Sequence, residues 1–103
     1  MVYSIDYSFT AETDADKAGE YYDRRVPGLS LRFFDDLDDT ILSKKNHPFS
    51  FHIYNESLGI RRANLDIFPY AVYYSIDSGK FSVKILAVIG QKRSKFYIRR
   101  RLK

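Results

Sequence analysis

Alternation opens the chain. Across residues 2–9, Tyr3, Ile5, Tyr7 and Phe9 fall on one face and Ser4, Asp6 and Ser8 on the other. Period two with aromatic and β-branched residues predicts a strand covered on one side. The period then changes: Ala11, Ala15, Ala18 and Tyr22 form one helical stripe. Thr10 is placed to cap that helix, Glu12, Asp14 and Asp16 suit its first turns, and Arg24 and Arg25 suit its end. It should stop before Val26-Pro27-Gly28, because proline forces the preceding residue out of the helical region. A second helix is predicted from Leu29 to Lys45, with Leu29, Phe33, Leu37 and Ile41 along one line and Phe34 and Leu42 widening it. So short a connection makes the two an antiparallel hairpin.

Strand patterns fill the remainder. Phe49, Phe51 and Ile53 alternate with Ser50, His52 and Tyr54, and a weaker run from Ile60 to Leu65 contains Arg61 and Arg62. Tyr70, Val72, Tyr74 and Ile76 then alternate with Ala71, Tyr73 and Ser75, ending at a hairpin turn, Asp77-Ser78-Gly79-Lys80. The last run alternates at Phe81, Val83 and Ile85, then becomes continuously apolar from Leu86 to Ile89, as in a strand buried on both faces. The order is β-α-α-β-β-β-β, followed by a short basic segment. It predicts an α+β fold: a small, mainly antiparallel sheet with the N-terminal helical hairpin packed on one face.

Composition agrees with one domain over residues 1–103, since 45% of the positions are hydrophobic and 17% aromatic, enough for one core. With no cysteine there is no disulfide framework, thiolate metal site or thiol nucleophile. No metal or other cofactor is expected, no run reaches the roughly 18 apolar residues of a membrane span, and Met1–Asp6 does not read as a signal peptide. A cytoplasmic setting is the expectation. Charge is uneven: residues 1–48 carry six basic and ten acidic side chains, whereas residues 49–103 carry eleven basic and three acidic. The basic half suits a polyanion or an acidic protein partner.

Four carboxylates cluster at Asp35, Asp36, Asp38 and Asp39, and a solvated helix face explains them better than a metal site. His47 and His52 have no carboxylate or hydroxyl neighbour in the pattern, so neither is expected to be catalytic. Arg61 and Arg62 point to opposite faces of a regular strand. One can bind phosphate or an acidic segment, while the other covers aromatic rings; the pattern does not assign them. The terminal run, Ser94 to Lys103, reads as a helix docking Phe96 or Tyr97 with Ile98, as a phosphate contact, or as a frayed end ordered by a partner.

Several short signatures resemble the RelE/ParE superfamily of type II toxin–antitoxin toxins, also described as plasmid-stabilisation proteins. They are Ala18-Gly19-Glu20-Tyr21-Tyr22, Pro27-Gly28-Leu29-Ser30-Leu31-Arg32-Phe33 and Asp36-Leu37 in the hairpin. Downstream they are Gly59-Ile60-Arg61-Arg62, Phe68-Pro69-Tyr70-Ala71-Val72-Tyr73-Tyr74 and Ile85-Leu86-Ala87-Val88-Ile89 before a basic pair. Their order and spacing lie nearer the ParE-like branch and span residues 3–97.

The resemblance implies a bacterial cytoplasmic toxin that inhibits growth and is neutralised by a cognate antitoxin. It also implies one of two targets, DNA gyrase for ParE-like members or messenger RNA on the ribosome for RelE-like ones. Ribosome-dependent cleavage would need cations for the phosphorane and a group to move protons. Lys92, Arg93 and Tyr97 are the candidates, with Tyr73 added if it faces the concave surface. Tyr97 starts from a pKa near 10 and would need neighbouring cations to act as a base. Gln91-Lys92-Arg93 stands where many ParE-like sequences have histidine, and Asp66-Ile67 where basic residues are frequent, so the catalytic set is incomplete and gyrase is the preferred expectation. A ribosome-dependent endoribonuclease is the alternative, and a decayed, non-toxic relative the third reading. Arg61, Arg62, Tyr73, Lys95, Arg99, Arg100 and Arg101 are the expected contacts to target or antitoxin. Oligomeric state is left open.

Overall fold

Ser8, not Thr10, ends the first strand and starts the first helix. The computed structural model describes residues 2–102, with residues 44 and 45 described by their backbone alone. Strand β1 covers Ser4–Tyr7, and the Ser8 hydroxyl accepts the Ala11 N–H at 3.1 Å to cap helix α1, Phe9–Arg25. Phe9 therefore leaves the expected strand face and lies 82% exposed in the helix. Ala11, Ala15 and Ala18 are buried, and their small side chains let α1 lie close to the sheet.

Helix α2, Leu29–Asn46, follows a tight turn in which Gly28 adopts φ 87°, a left-handed conformation that favours glycine. Glycine offers no side-chain cap, and Asp23 of α1 supplies one instead, accepting from the Ser30 N–H at 2.9 Å and hydroxyl at 2.8 Å. A Cβ at Gly19 would meet the Phe34 ring at 2.8 Å, so the glycine sets how closely the helices approach. Phe33, Leu37 and Ile41 are buried as their spacing predicts, while Leu42 lies outside the stripe, exposed. Phe33 sits among Tyr22, Phe34, Phe68 and Tyr70, at ring-centroid distances of 5.6, 5.5, 5.5 and 5.3 Å respectively.

The acidic face needs correction. Asp35, Asp38 and Asp39 are exposed, but Asp36 is buried and accepts the Ile67 and Phe68 N–H groups at 3.0 and 2.8 Å. It holds the loop at residues 67 and 68 to the hairpin.

After a 3₁₀ turn at Pro48–Ser50, which removes Phe49 from the expected strand, come β2 (His52–Asn55), β3 (Ile60–Asn64), β4 (Tyr70–Asp77) and β5 (Ser82–Gly90). The sheet order is β1-β5-β4-β3-β2, with β1 parallel to β5 and the other pairs antiparallel. Phe81 sits at φ 50° in the turn, so β5 begins one residue later than the alternation suggests. Ile85 pairs with Tyr74 and Ala87 with Tyr73, leaving Leu86 as a bulge. The extra residue switches the alternation. Val83, Ile85 and Val88 therefore pack under the hairpin, while Ala87 and Ile89 join the opposite core with Ile60, Ala71 and Tyr73. Two-sided cover plus a bulge explains the unbroken apolar run.

The Tyr74 hydroxyl donates to the Pro48 carbonyl at 2.7 Å in the core, and burial pushes its phenol up to about 12. Below pH 10 both folded and unfolded chains keep this proton. Above it the unfolded chain loses the proton first, so stability should fall between about pH 10 and 12. Urea midpoints across that range should fall less steeply for Tyr74→Phe, which also loses about 1 kcal/mol at neutral pH with its hydrogen bond. Among the described residues no helix is long and apolar enough to cross a membrane.

Candidate functional site

The basic terminus is a helix. Ser94 accepts the Tyr97 N–H at 3.1 Å and caps α3, Lys95–Arg101. Ile98 and Leu102, one turn apart, bury against Ile60, Ala71, Tyr73, Ala87 and Ile89 on the sheet face opposite the hairpin. Tyr97 packs beside them, whereas Phe96, an alternative anchor in the sequence, is 76% exposed.

Between α3 and β3 runs a groove of about 580 Å³. Arg62, Arg93, Lys95 and Arg99 line it, and Leu58, Ile98 and Leu102 give it an apolar part. Tyr54, Asn55 and Gln91 are its neutral polar groups, and no acid lines it among the described residues. Four cations facing one low-dielectric wall reinforce each other's field, so the groove attracts anions.

Arg61 and Arg62 diverge as the strand period requires. Arg61 pairs with Tyr74, donates to the Phe49 and Phe51 carbonyls at 3.1 and 2.7 Å, and lies 5.3 Å from the Phe49 ring centre. Its guanidinium holds the chain entering β2. Arg62 pairs with Tyr73, lies 5.5 Å from that ring centre, and reaches the groove while donating to Asn64 at 3.2 Å. Tyr73 is fully buried, contrary to a surface role. Its ring lies under Arg62 and against Tyr54 at 5.1 Å, and its hydroxyl has no hydrogen-bond partner among the described residues. Burial raises the Tyr73 phenol, and Arg62 opposes the rise.

The three residues weighed for cleavage are not assembled alike. Arg93 lies over Tyr97, its guanidinium carbon 3.8 Å from the ring centre. Lys92 is exposed in the turn after β5. The Tyr97 hydroxyl accepts from Arg101 at 3.2 Å. Arg101 also grips Asp14 through two hydrogen bonds of 2.9 and 2.7 Å, which raise its pKa against the cost of burial. Arg101 therefore differs from Arg99 in the groove and from exposed Arg100, although the sequence groups the three. His47 ends α2 and His52 lies on the edge strand, both exposed and neither lining the groove.

Arg93 and Tyr97 also border a second cleft of about 330 Å³ on the α1 side, with Lys17, Tyr21 and Tyr70. Burial, followed by Tyr21, raises the Tyr70 phenol, and Arg93 lowers it. The sequence reading missed Tyr54 and Leu58 in the groove and Lys17, Tyr21 and Tyr70 in the cleft. Tyr54 carried a signal, since strand alternation puts it on the face opposite Ile53; Lys17 carried none beyond its place on a helix.

Residues 5–95 match the family model described as the ParE toxin of the type II toxin–antitoxin system, parDE. No curated protein matches. Among solved structures, the chromosomal ParDE toxin–antitoxin system from P. aeruginosa superposes with TM-score 0.75 at 19% identity, over 86% of this chain and 96% of that one. The RelBE2 toxin–antitoxin complex from Mycobacterium tuberculosis gives 0.62 at 20% identity, over 87% and 99%. The isolated E. coli RelE toxin gives 0.62 at 17% identity, over 95% and 94%. At these identities the structural likeness is one of fold.

Proposed function

The chain belongs to the ParE toxin family of type II toxin–antitoxin systems, and from that premise we propose that it is the toxin of such a pair. Free, it arrests bacterial growth by binding DNA gyrase in the cytoplasm; bound to a cognate antitoxin, it is inert. Two structural neighbours are themselves toxin–antitoxin assemblies, which supports the partner.

The observation that carries the reading is the groove beside α3, with four cations over an apolar wall and no lining acid among the described residues. Such a surface suits an acidic protein segment with apolar side chains. It suits RNA cleavage less well. Among the described residues no imidazole or carboxylate lines the groove to take the 2′-hydroxyl proton, and the Tyr97 hydroxyl accepts from Arg101 while Arg93 lies over its ring.

Expression without an antitoxin, followed by a supercoiling assay beside mapping of transcript ends, tests this. Growth arrest, inhibited supercoiling and intact transcripts are expected. Codon-phased cuts that disappear in Arg93→Ala or Tyr97→Phe would replace gyrase with the ribosome-dependent endoribonuclease reading. Soluble protein without arrest would mark a non-toxic relative.

A further inference from the structure

Strand β1 pairs with β5 only as far as Tyr7 and Ile85. Beyond that register β5 has no strand on this side among the described residues, and without another acceptor the part-buried Val88 N–H would be unpaired. Asp14, on the second turn of α1, supplies one: its Oδ2 accepts the Val88 N–H at 3.0 Å. The same carboxylate takes both terminal nitrogens of Arg101, Nη1 on Oδ1 and Nη2 on Oδ2. Arg101 Nη1 also donates to the Tyr97 hydroxyl, one helical turn back. The Tyr97 ring in turn carries the Arg93 guanidinium. One connected path thus runs from α1 to the cation shared by groove and cleft.

Neither end of the path is dispensable to its geometry. A helix of seven residues is too short to persist alone in water. Ile98 and Leu102 press α3 onto the sheet, but apolar contact is non-directional and leaves rotation about the helix axis loosely fixed. A bidentate carboxylate–guanidinium pair is directional, and this one is mostly buried, with side-chain exposures of 21% and 14%.

We propose that Asp14 is a positioning residue: through Arg101 it fixes the rotation of α3, so that Tyr97 and Arg93 stand as one ordered wall between the groove and the cleft. What that wall touches rests on the toxin reading above; its order does not.

The test is made on the protein alone. Asp14→Asn keeps an oxygen for the Val88 N–H and removes the charge that holds Arg101, so the sheet should persist. Arg101→Lys keeps the cation and loses the fork, giving a second route to the same state. In either variant, amide hydrogen exchange over residues 97–102 should accelerate at least tenfold while β4 and β5 stay protected. The upfield NMR shift of the Arg93 side-chain protons, imposed by the Tyr97 ring, should shrink toward the random-coil position. Asp16→Asn, an exposed change on the same helix, should move neither. An unchanged Arg93 shift and unchanged exchange in both variants would overturn the proposal and leave Ile98 and Leu102 as sufficient. Neither readout needs an antitoxin or target, so the result stands whether or not the chain arrests growth. If it does, Asp14→Asn should also weaken arrest.

Discussion

Asp36→Ala is expected to destabilise the protein by about 2–4 kcal/mol, because it orphans one buried and one half-buried backbone N–H. The Asp36 carboxylate accepts from both Ile67 and Phe68, and neither N–H has another acceptor among the described residues. Asp36→Asn retains one oxygen and should recover at least half of the loss. Urea denaturation of the three proteins measures this. A loss under 1 kcal/mol for Asp36→Ala would mean that water replaces the carboxylate and that the loop is not held by it.

That residue also shows where sequence reasoning stops. Periodicity identified the hairpin, its buried stripe and all five strands, because burying one face leaves a repeat in the residue types. Asp36 is adjacent to that stripe, beside Leu37, and as an acid among three exposed acids it reads as solvent-facing. What buries it is a loop about thirty residues away whose amides need an acceptor, and composition carries no record of such a need. The same holds for Ser8 as cap and for Leu86 as bulge. Each depends on where β5 lies, which is set by tertiary pairing.

Reversing the groove's charge is the change with the largest expected effect on function. Lys95→Glu with Arg99→Glu should abolish growth arrest and weaken antitoxin binding by about 10²–10³-fold at low salt, with a smaller loss at high salt. Both side chains are exposed at the groove, and neither joins the Asp14–Arg101 link. The fold should therefore survive, with thermal stability within about 0.5 kcal/mol of the parent. Arrest titration and binding at two salt concentrations decide it. Undiminished binding would move the partner's site off this face.

The site was legible in part. Charge asymmetry located the basic half, and the strand period separated Arg61 from Arg62. It could not say which one reaches the groove, because that depends on which sheet face the hairpin covers. Three consecutive arginines look equivalent in sequence. In the fold one lines the groove, one faces solvent and one is clasped by a carboxylate 87 positions earlier.

Strand β5 also governs when the protein can exist. It lies between β1 and β4, and Ser8 of the first turn bonds Leu86, 78 positions away. Closing so long a loop comes late in folding, since its entropic cost precedes any contact that offsets it. During synthesis the hairpin and the first strands emerge with their apolar faces uncovered, and neither sheet core can close until residues 82–90 have been made. Folding is thus deferred until β5 has been made, and the groove, built in part from the helix that follows β5, forms only after the strands it lies against.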